Sequence, residues 1–440
     1  ILSGTDADNY KLTAPVGVTG SISKLALSLT GTPIAASRVY DGTLTTSISG
    51  VTLSGILTGD ALSMGGLFAN KNAGVAKAVS LTLTGTDSGN YSVAPVAGIT
   101  AGITPRSLDV FGTPIAASRV YDGKVATAVS GATLGGVLAG DSVVLSGNFA
   151  DKNVGTGKAV SLALTGAAGG NYSIAPVGGL TADVTPRALT ITAVGVNRVY
   201  NAGTVATVNL ANNRVYGDIL TTGYSAAFLD KNAGTGKTVN VSGITLGGTD
   251  ARNYTYNTTA TATASITKLN IALNGVTAAN KVYDGTTVAT IGGTAYVNKL
   301  GADSVIVEGL GSGAFIDQNV GNYKAVTVNI GGYTLSGADA GNYNLTAPYG
   351  VKANITPRTL TITADSMSML YGSAIPGLTY TVGGLGLVEG DSYASVFTGG
   401  LTTLASSTST AGTYSITQGT LGTNSNYVIS TYINGVLTIQ

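Results

Sequence analysis

The amino-acid sequence predicts an all-β protein built as a tandem array of small domains. Three observations lead to this prediction: a long internal repeat, strand-like alternation of apolar and polar residues, and a composition rich in glycine and poor in charge. The chain has 440 residues, of which 64 are glycine, and only 10% are charged. Because 44% of the residues are hydrophobic, the chain can bury a core, which sets it apart from disordered sequences.

Three motifs return in fixed order along the chain. The first, Val-Tyr-Asp-Gly, returns about every 80 residues, a period too long for a solenoid coil. It supplies Tyr40, Asp41, Gly42, Tyr121, Asp122, Gly123, Tyr283, Asp284 and Gly285, with a degenerate copy at Tyr200. The second, a variable Phe-x-Asp-Lys-Asn, begins at Phe68, Phe149, Phe228 and Phe315. The third, Asn-Tyr, closes each unit at Tyr10, Tyr91, Tyr172, Tyr254, Tyr343 and Tyr427.

The segments between these motifs alternate apolar and polar residues. Residues 78–84 read Ala-Val-Ser-Leu-Thr-Leu-Thr, and residues 325–330 read Ala-Val-Thr-Val-Asn-Ile. A period of two places Val and Leu on one face of a strand and the polar residues on the other, as in a half-buried antiparallel sheet. Gly, Asn and Asp stand between these segments, where tight turns require them. Long helices are not expected.

The motifs divide the chain into domains. We predict five, at residues 25–106, 107–187, 188–268, 269–358 and 359–440, with residues 1–24 as the closing part of a preceding repeat. Units of this length can form about seven short strands, so we predict Ig-like β-sandwiches that each have their own core. Small β-grasp-like domains are the alternative. Thr-Pro-Arg at three boundaries joins the units without a flexible linker, which predicts a semi-rigid rod.

Charge and residue usage exclude several classes of function. The net charge is +1, so no basic surface for nucleic acid is expected. Cys and His are absent, which removes disulfides, thiolate ligands, the thiol nucleophile and the usual general base. We therefore expect no enzyme, no catalytic residue, no cofactor and no metal. No apolar run is long enough for a transmembrane helix.

The ordered motifs of the first four units resemble the YDG-type repeat of large bacterial surface proteins related to filamentous hemagglutinin-like adhesins. The last unit lacks Tyr-Asp-Gly and reads Leu370-Tyr371-Gly372 instead, which resembles the MBG repeat found beside YDG repeats. The resemblance implies export to the bacterial cell surface and a spacer or adhesive role. It implies no catalytic residues.

The repeated tyrosines are interpreted as structural rather than ligand-binding. We expect each Tyr of Val-Tyr-Asp-Gly to fill the interior beside an Asp-Gly turn, and each closing Tyr to tie down a loop through its hydroxyl. A calcium site at Asp6 and Asp8, or near Asp250, is a weaker alternative. Isopeptide cross-links are another, through lysines that are otherwise expected to guard strand edges: Lys77, Lys158, Lys237 and Lys324.

Two functions fit these features. In the first, the array is a secreted stalk or spacer of a surface adhesin; in the second, it is a subunit of an extracellular filament. A glycan- or receptor-binding module is a third, weaker interpretation. The expected partners are other copies, further repeats of the same polypeptide, or a host or matrix surface. Residues 1–24 are expected to carry closing strands that pair outside the five domains, which would allow strand addition between subunits.

Overall fold

The computed structural model describes residues 1–17 and 19–440, and these are almost entirely β structure. The predicted all-β class is therefore confirmed. The chain forms two compact units. The first contains residues 1–190, 213–221 and 246–256, and the second contains residues 191–212, 222–245 and 257–440. The predicted third domain contributes segments to both units.

In the first unit, the first repeat forms a seven-stranded mixed sheet. Its strands are β1 (Leu25–Ala35), β2 (Arg38–Val39), β3 (Thr45–Ser54), β4 (Ser63–Phe68), β5 (Gly74–Thr84), β6 (Tyr91–Val93) and β7 (Thr100–Thr104). Their order across the sheet is β2-β7-β5-β4-β3-β1-β6. The pairs β1–β6 and β2–β7 are parallel, and the others are antiparallel. The parallel pair β2–β7 fixes the start of Val-Tyr-Asp-Gly against the end of the repeat.

The second repeat has the same strand order as the first. Its strands are β8 (Arg106–Ala116), β9 (Arg119–Val120), β10 (Ala126–Gly135), β11 (Val144–Phe149), β12 (Gly155–Thr165), β13 (Tyr172–Ile174) and β14 (Thr181–Thr185). They form one sheet in the order β13-β8-β10-β11-β12-β14-β9. Equal motifs therefore give equal topology.

The third repeat keeps these pairings in shorter sheets. Its strands are β15 (Arg187–Leu189), β16 (Ile191–Gly195), β17 (Arg198–Val199), β18 (Val208–Asn212), β19 (Thr221–Phe228), β20 (Gly234–Gly247), β21 (Tyr254–Tyr256) and β22 (Ala260–Thr267). In the first unit, β15 pairs with β21 in parallel. In the second unit, β16 pairs with β18, and a four-stranded sheet has the order β17-β22-β20-β19.

The fourth repeat lies in the second unit and divides its strands among three sheets. The strands are β23 (Leu269–Ala278), β24 (Lys281–Val282), β25 (Val288–Ala289), β26 (Ile291–Val297), β27 (Ile306–Gly309), β28 (Ser312–Phe315), β29 (Gly321–Asn329), β30 (Tyr333–Ser336), β31 (Tyr343–Thr346) and β32 (Lys352–Thr356). The sheets are β26-β23-β31, β24-β32-β29-β28-β25 and β27-β30.

The last repeat also lies in the second unit and includes a one-turn helix. Its elements are β33 (Arg358–Ala364), β34 (Met367–Met369), β35 (Tyr380–Gly384), α1 (Tyr393–Val396), β36 (Phe397–Thr398), β37 (Thr402–Thr403), β38 (Gly412–Thr417), β39 (Gly422–Thr423), β40 (Tyr427–Ile433) and β41 (Gly435–Ile439). They form the sheets β35-β33-β40, β34-β41-β38-β37 and β36-β39. Ser392 begins α1 with a capping box that it shares with Ser395.

The alternating pattern buries one face of each strand. In β7, Ala101 and Ile103 are buried, whereas Thr100 and Thr104 are exposed. A bulge interrupts β1 where Gly31 has a φ of +98°, and a Cβ there would lie 2.2 Å from the carbonyl oxygen of Gly50. Only glycine fits this close approach of two backbones.

The buried cores join consecutive repeats instead of staying separate. In the first unit, one cluster combines Tyr40 and Ile103 with Leu108 and Tyr172, which belong to two different predicted domains. In the second unit, another cluster combines Tyr283 with Leu360, Tyr427 and further residues of the fourth and fifth repeats. The expectation that each repeat has its own separate core is therefore wrong at these two junctions.

Short 3-10 helices precede the closing tyrosines of the first four repeats, at Ser88–Asn90, Gly169–Asn171, Ala251–Asn253 and Ala340–Asn342, and a further one lies at Ile330–Gly332. Residues 1–24 share this feature, since Ala7–Asn9 forms the same turn before Tyr10. In the described part of this segment there is no strand, and Tyr10 and Ile22 are exposed. The closing strands expected there are not formed. No helix among residues 1–17 and 19–440 is long and apolar enough to cross a membrane.

Candidate functional site at the junctions between repeats

The tyrosine of each Val-Tyr-Asp-Gly motif reaches into the following repeat. The backbone N–H of Tyr40 donates to the carbonyl of Thr104 at 2.9 Å, which fixes the residue at the end of its own repeat. The ring is fully buried, and its hydroxyl donates to Asp141 of the next repeat at 2.9 Å. The same bond recurs from Tyr121 to Asp218, from Tyr200 to Asp303 and from Tyr283 to Asp391.

The closing tyrosine of the following repeat meets this first tyrosine on the same carboxylate. Tyr172 donates its hydroxyl to Asp141 at 2.7 Å and accepts the backbone N–H of Leu138 at 3.1 Å. Its ring packs edge-to-face against Tyr40, with 5.4 Å between ring centroids. The other pairs, Tyr121–Tyr254, Tyr200–Tyr343 and Tyr283–Tyr427, have centroid distances of 5.5, 5.4 and 5.3 Å. Two repeats therefore share one buried aromatic pair and one aspartate at each junction.

A lysine of the Phe-x-Asp-Lys-Asn motif adds a positive charge at two of these aspartates. The ammonium of Lys152 lies 2.7 Å from Asp218 and 2.8 Å from Asp250. Lys231 lies 2.5 Å from Asp303 and 2.8 Å from Asp339. In both junctions the second aspartate stands four residues before the closing tyrosine, and each ammonium bridges two carboxylates of the following repeat.

The first and fourth junctions depart from this charge pattern. In the first junction, Ala168 occupies the position of the second aspartate, and Lys71 lies 3.4 Å from Asp141. In the fourth junction, Gln318 replaces the lysine and Thr423 replaces the second aspartate. A lysine therefore faces two carboxylates in the second and third junctions and one carboxylate in the first. The fourth junction has one carboxylate and no lysine.

An asparagine bridge completes each junction. Asn171 accepts the backbone N–H of Ala73 at 2.8 Å and donates its side-chain amide to Asn72 at 3.2 Å. The equivalent residues Asn253, Asn342 and Asn426 bond in the same way to Asn153, Asn232 and Asn319 and to the amides of Val154, Ala233 and Val320. The Asn-Tyr motif thus contributes both its residues to the contact.

Burial and hydrogen bonding shift the pKa values of these groups. Burial raises the pKa of Tyr254, Tyr343 and Tyr427 to about 12, and their bonds to aspartates add to the rise. Burial alone would raise the pKa of Asp218, but bonds from Lys152, Tyr254 and Tyr121 hold it below its ordinary value. Bonds to Asp218 and then Asp250 raise the pKa of Lys152 above its usual range. The junction therefore favours protonated tyrosines, an ionised aspartate and a charged lysine.

The Asp-Gly pair of the motif shapes the turn after the tyrosine. Asp122 accepts the backbone N–H of Lys124 at 3.0 Å and pairs with Arg119, while Gly123 has a φ of +80°. A Cβ on Gly123 would lie 2.8 Å from Val215 of the following repeat. Asp41 and Asp284 accept in the same way from Thr43 and Thr286, next to Gly42 and Gly285. The glycine serves both the left-handed backbone and the close approach of two repeats.

The residues considered for calcium binding or isopeptide cross-links take part in other contacts. Asp250 bonds Lys152 and the backbone N–H of Ile219, and within the described part of the chain no group of three acidic residues is placed to hold a metal ion. The lysines expected at strand edges each reach back across a turn. Lys77 bonds Asn70 at 2.5 Å, and Lys158, Lys237 and Lys324 bond Asp151, Asp230 and Asp317.

Sequence reasoning found both tyrosines of each junction but missed the aspartate between them. The signal was available: an aspartate that follows Gly or Ala stands at the equivalent position of every repeat, at Asp60, Asp141, Asp218, Asp303 and Asp391. The lysine was also missed as a junction residue, although its motif was recognised. Chemically, the assembled site joins two surfaces: in the second junction two hydroxyls and the ammonium bond Asp218, and a separate pair of asparagine side chains bond each other.

Comparisons with known proteins agree with the repeat pattern. A search of curated proteins found no match. Among solved structures, the chain has a likeness to the crystal structure of Dscam1 isoform 4.44, N-terminal four Ig domains, with 10% identity over 75% of this chain and 99% of that one. The TM-score is 0.13, so nothing is inferred from it. The YDG domain model matches residues 23–98, 104–179, 185–263 and 266–350, and the MBG domain (YGX type) model matches residues 360–438. The chain belongs to the YDG domain family, and it ends in an MBG domain.

Proposed function

We propose that this chain is a structural spacer in a secreted bacterial surface adhesin, in which the junctions hold consecutive repeats together. The observation that carries this proposal is the fourfold recurrence of the tyrosine pair on a shared aspartate. A spacer must transmit force through every repeat, and a buried, fully bonded contact at each junction resists bending and separation. We propose no enzymatic activity, because the recurring polar groups are used in contacts between repeats.

The alternative is a subunit of an extracellular filament. It is supported by exposed apolar residues in three places: Ile22 in the segment 1–24, Leu57 in the first repeat and Leu370 in the last. Such residues could join separate subunits. Binding of a glycan or receptor is a third proposal that no particular contact favours.

Negative-stain electron microscopy of the purified chain tests these proposals. The spacer proposal predicts single short rods, and the filament proposal predicts regular fibres that lengthen with protein concentration. A variant with Tyr121→Ala should give rods that bend at the altered junction, whereas the exposed Tyr216→Ala serves as the matched control. Compact particles, or rods unaffected by Tyr121→Ala, would contradict the role given to the junctions.

A further inference from the structure

The first repeat carries the acceptor half of a junction. Tyr91 donates its hydroxyl to Asp60 at 2.6 Å and accepts the backbone N–H of Leu57 at 3.2 Å. These bonds match those of Tyr172, Asp141 and Leu138 in the next repeat. A pocket of about 400 Å³ lies beside them, lined by Leu25, Leu57, Asp60, Asn90 and Tyr91 of the first repeat together with residues 22–24, which include Lys24. We name the residues of the first repeat in this set the acceptor site.

We propose that the acceptor site binds the Tyr-Asp-Gly end of a further YDG repeat that carries the junction lysine. This inference rests on the proposed function, since it uses the junction as a unit of assembly. The position of Leu57 supports it. Leu57 is 62% exposed, whereas its equivalents Leu138, Val215 and Val388 are half-buried against the preceding repeat. The exposure of Leu57 therefore distinguishes the first repeat from the repeats whose equivalent residue is covered.

The charges of the acceptor site select the kind of end that fits. Asp87 stands four residues before Tyr91 and accepts the backbone N–H of Ala61 at 2.9 Å, as Asp250 does from Ile219 at 3.0 Å. Asp60 and Asp87 thus stand at the positions of the two carboxylates that face Lys152 and Lys231 in the second and third junctions. Among the described residues neither Asp60 nor Asp87 forms an ion pair, so a lysine-bearing end would supply the positive charge that Lys152 and Lys231 supply in the second and third junctions. The charges therefore favour the end of a YDG repeat that carries the junction lysine over the end of a repeat without it.

A rival occupant is the last repeat of a second copy. Tyr371 is equivalent to Tyr40, because its backbone N–H donates to Gln440 at 2.9 Å as that of Tyr40 does to Thr104. It is 64% exposed. However, residues 359–440 contain no Lys or Arg, so this end offers a hydroxyl without an ammonium. The YDG ends of this chain are themselves engaged in junctions, so a further repeat must provide the occupant.

Cysteine labelling tests the proposal, because the chain has no cysteine of its own. In one protein, Leu57→Cys is placed in the present chain. In a second, residues 1–24 of that variant are replaced by an additional copy of residues 107–186, whose end offers Tyr121 and Lys152 to the acceptor site. The alkylation rate of the thiol introduced at position 57 should fall several-fold in the extended protein. A Leu138→Cys variant of the present chain gives the rate for an occupied junction.

Control variants separate the possible failures. Tyr121→Ala in the added copy should restore fast alkylation, and Lys152→Gln in the added copy should restore it in part. An unchanged alkylation rate at position 57 with both this copy and a second donor, residues 188–268, would overturn the inference while leaving the proposed function intact. If the thiol of the Leu138→Cys variant also reacts fast in the present chain, the proposed function itself fails.

The same measurements test which end the acceptor site prefers. Equal protection of position 57 with Lys152→Gln in the added copy would contradict the preference for a lysine-bearing end. Protection of the unextended Leu57→Cys chain that rises with concentration and is lost with Tyr371→Ala would contradict it as well, because the last repeat of a second copy would then be the occupant.

Discussion

The second and fourth junctions place the same aromatic pair in different electrostatic surroundings. In the second, Lys152 bridges two aspartates beside Tyr121 and Tyr254. In the fourth, Gln318 stands in place of the lysine, and the bond from Tyr283 to Asp391 lengthens to 3.2 Å. The ring pairs nevertheless agree closely, at 5.5 Å and 76° against 5.3 Å and 74°. The comparison indicates that the tyrosine pair and its aspartate form the common contact, and that the lysine adds a charge to a contact that also forms without it.

The fourth junction also crosses from a YDG repeat to an MBG domain. The MBG domain keeps the acceptor side, since Tyr427 bonds both Asp391 and the backbone N–H of Val388. Its own Tyr371 lies on the opposite end without Asp-Gly or lysine. The acceptor side is thus common to both kinds of repeat in this chain, whereas the lysine-bearing end occurs only in YDG repeats.

The largest expected effect is that of Tyr121→Ala. Loss of this buried ring should destabilise the junction by about 3–5 kcal/mol, the range for removing a buried aromatic side chain. Because the ring lies between two repeats, amides on both sides of the junction should lose protection in hydrogen exchange. Tyr283→Ala should have a similar effect, since the ring geometry is the same. Loss of amide protection confined to the repeat that contains Tyr121 would show that the two repeats have separate cores.

The next effect distinguishes the two junctions by charge. Asp218→Asn should cost about 3 kcal/mol, because Lys152 loses one of its two carboxylates and two hydroxyls lose a strong acceptor. Asp391→Asn should cost about 1 kcal/mol, because only hydroxyls are affected there. Native-state hydrogen exchange of the flanking strands measures both changes. Equal costs would mean that the lysine contributes nothing to the second junction.

The pKa shifts predict loss of stability at both ends of the pH scale. The pKa of Asp218 is lowered in the folded state, so its contribution is complete above the ordinary carboxyl value of about 4 and is lost as pH falls through the folded value. The pKa of Tyr254 is raised to about 12, so its contribution is complete below about 10 and is lost between about pH 10 and 12. Thermal melting across pH 2–12 measures both branches. In Asp218→Asn the loss of stability at low pH should be smaller. If that loss is unchanged, other carboxylates are responsible for it.

The smallest effect is expected from Gln318→Lys. The new ammonium would face Asp391 alone, in the arrangement that Lys71 has with Asp141, so it should stabilise the fourth junction by at most about 1 kcal/mol. The gain should disappear in high salt, because such a partly exposed pair is screened. Lys71→Gln is the reciprocal variant and should weaken the first junction slightly. A gain that persists in high salt would point to packing instead of charge.

The sequence predicted the all-β class, the repeat and both tyrosines of each junction, because these follow from local periodicity and recurring motifs. It did not predict which surfaces the tyrosines join. Tyr40 and Asp141 are 101 residues apart, and each is consistent with a purely local role: Tyr40 as an interior residue and Asp141 as a turn residue. A repeat also conceals contacts between neighbours, since each aspartate lies much closer in sequence to the tyrosine of its own unit than to the tyrosine that it bonds.

The measurement that tests the central claim most directly is a double-mutant cycle between Tyr121 and Asp218, with Tyr121→Phe, Asp218→Asn and the double variant. The free energy of opening is read from hydrogen exchange of the strands on each side of the junction. We predict a coupling energy of about 1–2 kcal/mol, because each single change breaks the same hydroxyl–carboxylate bond. Effects that add within about 0.3–0.5 kcal/mol, the spread expected for independent sites, would contradict the conclusion that the two repeats are joined through this contact.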